Sequence, residues 1–178
     1  MAHRAFRCLA LVASVIALWA VASPAGATRQ QPASTLSSLE RGVLTNINSF
    51  RQDHKLASLR FSSKLAAAAR EHSAEMAQRG YFSHDSANGT SFDKRISRYY
   101  SISGKHYWSV GENIFWESPD TSGSSAVREW MTSAPHRQNI LTREWREIGV
   151  AAAHFDSAPG AFGGRSVTIV TADFGVRR

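Results

Sequence analysis

The spacing of apolar residues changes character once along this chain, and that change restricts the fold more than any other feature. Leu39, Val43, Ile47 and Phe50 recur at steps of four, four and three, the stripe of an amphipathic helix. A second helix is expected from a cap at Ser62 or Ser63 through Arg79, with Leu65, Ala69 and Met76 on one face and Gly80 as its stop. Asn88-Gly89 marks a turn, Ser91 caps a short third helix, and Gly123-Ser124-Ser125 precedes a fourth that carries Ala126, Val127 and Trp130. The tail then reads "EIGVAAAHF" and "RSVTIVTADFG", β-branched or small-residue runs separated by "DSAPGAFGG", the pattern of a hairpin. An earlier strand is expected around residues 107–116. Helices first and strands last predict an α+β fold in which helices cover an antiparallel sheet, rather than a parallel βαβ array.

The N-terminus stands apart from that pattern. His3, Arg4 and Arg7 precede the apolar run "CLALVASVIALWAVA", which ends at the small-residue patch Ala25-Gly26-Ala27. A basic start, a short apolar core and an A-x-A-like end predict a secretory signal peptide over 1–27, with an uncleaved anchor as the alternative. Residues 28–36 read as a polar linker, and 37–178 as one domain of 142 residues (178 minus 36). A domain of that size buries roughly two-thirds of its unfolded surface, so it can be held by a core. It has to be, because Cys8, the single cysteine, leaves with the signal. Arg4 and Arg7 leave too, so 21 basic residues become 19 against 14 acidic ones, a net charge of +5. That modest, scattered charge is compatible with anionic polymers or membrane surfaces, while no basic-aromatic module points to nucleic acid.

Two histidines stand out from the other five. His84 and His136 are each expected in a loop just after a helix end, with Pro135 closing the fourth helix ahead of His136. Between them lies Gly111-Glu112-Asn113, a carboxylate beside a glycine that allows close backbone approach. Two imidazoles and a carboxylate can bind a divalent metal with an open position, although no H-x-x-x-H spacing links them. Hydrogen bonding of a purely structural kind is an equal reading of the same residues. Ser133 with a histidine and a glutamate sketches a hydrolase arrangement, but the G-x-S-x-G elbow that exposes such a serine is missing. His72 falls on the apolar stripe of the second helix and reads as a core histidine; His54, His106 and His154 read as surface or packing residues.

Taken in order, "LRFSSKLAAAAREHSAEMAQRGYFSHDS", "GENI", "AVREWMTSAPHRQNIL", "EIGV" and "DFG" resemble the CAP superfamily, whose shared module is the SCP domain, and most closely its cysteine-free bacterial secreted branch. The resemblance implies a three-layer α-β-α sandwich with a central antiparallel sheet and a cleft built around two histidines and acidic groups. By that resemblance His84 corresponds to the first histidine, Glu112 to the glutamate of the "GEN" motif and His136 to the second histidine. Asn113 and Arg137 are then expected to shape the cleft. Eukaryotic relatives carry another glutamate three residues after the tryptophan of the fourth helix, where this chain has Ser133, and that absence weakens a four-residue metal or acid-base site.

The expected function is therefore a secreted, extracellular or periplasmic binding module that acts through a cleft of His84, Glu112, Asn113, Ser133, His136 and Arg137. Its ligand is expected to be a lipid, a cell-envelope component or a divalent metal, with no cofactor required. No nucleic acid is expected as a partner, no membrane span in the mature form, and a monomer. The alternative is a metal-dependent hydrolase in which His84 and His136 hold zinc or another divalent metal beside Glu112.

Overall fold

The computed structural model describes residues 36–178, so the expected signal peptide over 1–27 and nearly all of the linker lie outside the described residues. The described residues fall in one compact unit. Helix α1 (Ser38–Asp53) begins with a capping box, in which the Ser37 hydroxyl accepts from the Glu40 amide while the Glu40 carboxylate accepts from the Ser37 amide. The two-residue strand β1 (Arg60–Phe61) leads into α2 (Ser63–Arg79). Ser62 caps α2, and Gly80 ends it in the left-handed conformation at φ 70°. A loop and the short α3 (Phe92–Ser97) precede strand β2 (Trp108–Glu117). Helices α4 (Gly123–Thr132) and α5 (Ala134–Ile140) follow, then β3 (Glu147–Ala158), a 3-10 turn at Gly160–Phe162 and β4 (Arg165–Arg177).

The strand order is β1-β3-β4-β2. β4 runs antiparallel to both β3 and β2, whereas β1 pairs parallel to β3, so the expected antiparallel sheet is in fact mixed at one edge. Two residues carry no period of their own, which is why β1 left no trace in the sequence pattern.

Strand alternation divides the sheet cleanly. Ile148 and Val150 of β3 join Val170, Ala172, Phe174 and Val176 of β4 under Val43 and Ile47 of α1 and Val127 and Trp130 of α4. The intervening residues face α2 and α3, where Met76 and Ala77 meet Ile114 and Ile169, and Leu65 and Ala68 meet Ile96 and Tyr100. Helices thus cover both faces, giving the three-layer sandwich. Gly149 lets α2 come close: a Cβ there would lie 2.0 Å from the Ala66 amide nitrogen.

The break after α4 differs from expectation. Ser133, extended at φ −89° and ψ 121°, is the whole connection between α4 and α5, and Pro135 sits in the first turn of α5 instead of terminating α4. Proline is tolerated there because a first-turn amide has no helical acceptor to lose. His136 is therefore a helical residue, held by α5.

Candidate functional site

Strand β2 is one edge of the sheet, and the site is built over it. Alternation turns Glu112 toward the α2–α3 layer and Asn113 toward the α4–α5 layer, and at the edge both faces open into one hollow. His84 reaches it from the α2–α3 loop and His136 from α5 on the other side. The hollow has a volume of about 330 Å³, and Gln138, Asn139 and Thr142 complete its wall. The imidazoles face each other with ring centroids 6.4 Å apart.

The carboxylate of Glu112 is the hub. One oxygen lies 2.8 Å from His84 Nδ1, and the other is paired with the fully buried Arg95 guanidinium. Burial alone pushes Glu112 upward, but the His84 hydrogen bond, Arg95 and His72 together bring it below the usual carboxylate range. Ionised Glu112 accepts only, so His84 Nδ1 donates to it, and the ring lines the hollow. Arg95 is itself locked, donating to the His84 carbonyl at 2.9 Å and the Ser86 hydroxyl at 3.3 Å. The site thus holds its loop histidine from both the ring and the backbone.

On the other side, Asn113 Nδ2 donates to the His136 carbonyl at 3.1 Å, and Asn139 Nδ2 donates to Asn113 Oδ1 at 3.0 Å. Gly111 makes this contact possible, since a Cβ there would lie 2.4 Å from Asn139 Oδ1. Burial, then the neighbouring His84, hold His136 below the ordinary histidine value.

The expected site residues separate into three groups. His84, Glu112, Asn113 and His136 come together around the hollow. Ser133 instead lines a second, apolar hollow of about 260 Å³ with Phe82, Phe115, Trp116 and Trp130, and among the described residues its hydroxyl makes no hydrogen bond to a histidine. Arg137 turns away from both, its guanidinium donating to the Met131 carbonyl at 3.0 Å and so closing the C-terminus of α4. His136 is in the wall of both hollows.

Three residues of the cluster escaped the sequence pattern. Arg95 sits in a short helix among other charged residues, with nothing to mark it. His72, expected in the core, is fully buried, but it also comes within 3.9 Å of Glu112 while its Nε2 donates to the Ser83 carbonyl at 2.8 Å. Asp173 lies directly opposite Glu112 in the β2–β4 register, fully buried, with neither carboxylate oxygen hydrogen-bonded. Burial, then the Glu112 charge, push it well above the usual aspartate value. The signal was present: a lone carboxylate inside the apolar run "VTIVTADFGV".

As a zinc centre the site falls short of the three protein ligands that catalytic zinc usually has. Glu112 has both oxygens engaged by His84 and Arg95, which leaves two imidazoles. Among the described residues no group of three or more His, Cys, Asp or Glu side chains converges on one point.

An α-β-α sandwich with paired histidines over an open sheet edge defines the class of protein. Residues 44–174 match the family model described as "CAP: Cysteine-rich secretory protein family", and the chain belongs to that family. It is 34% identical over 132 residues to the Bacillus subtilis protein YkwD, an alignment covering 74% of this chain and 48% of YkwD. It is 32% identical over 111 residues to the membrane protein YlbC of the same organism, covering 62% of this chain and 30% of that one. The chain thus spans less than half the length of either relative. Among solved structures, an extracellular SCP-domain protein from Bacillus anthracis superposes with a TM-score of 0.59 at 27% identity, over 78% of this chain and 40% of the other. An outer surface protein of Borrelia burgdorferi shares the fold, with a TM-score of 0.60 at 17% identity over 78% of this chain and 92% of that one. No helix among the described residues is long and apolar enough to cross a membrane.

Proposed function

We propose that this chain is a secreted binding module for a small amphipathic ligand, whose polar end meets His84 and His136 and whose apolar part lies against Trp116, Phe115 and Phe82. The observation that carries this reading is the position of His136 in the wall of two adjoining hollows, one polar and one aromatic. Separately each is near or below the lower end of the ~300–1,000 Å³ span of small-molecule sites; together they fall within it. The extracellular Bacillus anthracis relative and the N-terminal apolar run support secretion. The arrangement also favours binding over turnover. Glu112 is spent on holding His84 and neutralising Arg95, and no hydroxyl or thiol nucleophile is hydrogen-bonded to either cleft histidine among the described residues. A metal-dependent hydrolase built on His84, His136 and Glu112 has less support for the same reason.

Tryptophan fluorescence tests the reading directly, because Trp116 and Trp130 line the apolar hollow. Titration of residues 32–178 with single-chain lipids, fatty acids and lysophospholipids, is expected to give a saturable change. Trp116→Ala and His136→Ala should each weaken binding about tenfold, on the order of 1.4 kcal/mol. A flat response across the panel, or variants that bind like the parent, would sink the proposal.

A further inference from the structure

Three of the four exposed large hydrophobic side chains among the described residues fall in one stretch between α3 and β2: Tyr99, Ile102 and Tyr107, at 36%, 50% and 40% exposure. The stretch folds back at a tight turn, where the Lys105 amide donates to the Ile102 carbonyl at 2.8 Å and Gly104 takes φ 71°. It is tied to the end of β4. The His106 and Tyr107 amides both donate to the Arg178 carbonyl, at 2.9 and 2.8 Å, and the Arg178 guanidinium lies 4.8 Å over the Tyr107 ring. The turn tip and the end of the sheet are therefore one surface.

That surface is basic. β1 starts at Arg60, whose amide donates to the Arg146 carbonyl, and the Arg146 amide donates to Gly175 near the end of β4. This places Arg60, Arg143, Arg146, Lys105 and Arg178 around the same strand ends, and none of the five forms an ion pair among the described residues. Of the nearby acids, Glu71 and Glu147 are already matched with Arg98 and Arg177, which leaves the exposed Glu144, between Arg143 and Arg146 in sequence, against the five cations. The opposite strand ends carry Asp120 and Asp156, 3.2 and 3.5 Å from the two ring nitrogens of His154. The sheet is thus polarised along its strands.

We propose that the basic end of the sheet docks on an anionic lipid bilayer, with Ile102 and Tyr107 entering the interface and the unpaired cations lying at headgroup level. Cations alone would suit any polyanion. An exposed aliphatic tip flanked by tyrosines gains from an apolar phase, and an interface that offers both charge and hydrocarbon fits the whole surface. This surface shares no residue with the two hollows, so it stands independently of the ligand reading.

Vesicle sedimentation of residues 32–178 tests it, using phosphatidylcholine alone and phosphatidylcholine mixed with phosphatidylglycerol. Binding is expected to the mixed vesicles only, and to weaken as salt rises. Lys105→Glu should lower the partition coefficient about fivefold or more, and Ile102→Ser should lower it without changing the salt dependence. Both positions are exposed, and thermal melts of each variant establish that the fold is kept. Equal binding to both vesicle types, or no binding to either, overturns the proposal. So does an Ile102→Ser variant that partitions like the parent, or one whose parent binds soluble polyphosphate or nucleic acid as tightly as vesicles, since either would make the surface a general polyanion site.

Discussion

Glu112 balances a charge that has no access to water. Replacing it with glutamine keeps the shape but leaves Arg95, fully buried, without a counter-charge. Removal of one partner of such a pair costs about 3–5 kcal/mol, so Glu112→Gln should lower the unfolding free energy by roughly that amount in urea titration. The neighbouring groups set a pH profile. Burial holds His72 and His136 below their ordinary value. A histidine whose folded pKa is depressed contributes stability that is full above about pH 6.5 and is lost as pH falls through the folded value. His72→Gln, which can still donate to the Ser83 carbonyl, should therefore show a smaller fall in melting temperature between about pH 7 and pH 5 than the parent. Asp173 has the opposite sign. Its folded pKa is raised, so its contribution is full below about pH 3.9 and is lost as pH rises from there. Asp173→Asn should gain on the parent as pH increases, and a gap in melting temperature that stays constant with pH would contradict the assignment.

Among the elements, helix α2 depends most on backbone proximity. Gly149→Ala would drive a methyl group into the backbone of Leu65 and Ala66 and should cost about 3 kcal/mol, measurable by thermal or chemical denaturation. Helix α2 was also the most legible element. Ser62, the Leu65–Met76 stripe and Gly80 each sit at the structural feature their chemistry predicts, because local capping and period decide them. The corner at Ser133 was legible as a break but not as a restart, since proline marks a helix end and a helix start with the same residue. His84, Glu112 and His136 could be picked out by motif, and Asp173 stood out as a lone carboxylate in an apolar run, whereas Arg95 matters only through register and burial, which depend on residues distant in sequence. Arg137 shows the converse: adjacency to a site histidine in sequence says little about direction, and on a helix the next residue points about 100° away.

At the scale of the molecule, the sheet ranks its own strands by protection. β4 lies between two long partners and is buried from Val167 through Val176, whereas β1 offers two residues at an edge. Amide exchange should be slowest across 167–174 and fastest among the strands at 60–61, as read by mass spectrometry or NMR. Exchange as rapid in β4 as in β1 would mean that the sheet does not open as one unit. The absence of cysteine beyond Cys8 leaves this packing, together with the buried Arg95–Glu112 pair, as what holds residues 36–178 together.

The single-residue joint at Ser133 has a consequence for how the cleft can change over time. With no spare chain between α4 and α5, lengthening α5 by one residue ahead of His136 would advance that side chain by about 100° around the helix and take it out of both hollows at once. The joint sets a rotational phase, and phase admits no small errors. Under the proposed binding role, ligand preference would change by exchanging Phe82, Trp116 or Gln138 in place, but not by letting the corner grow.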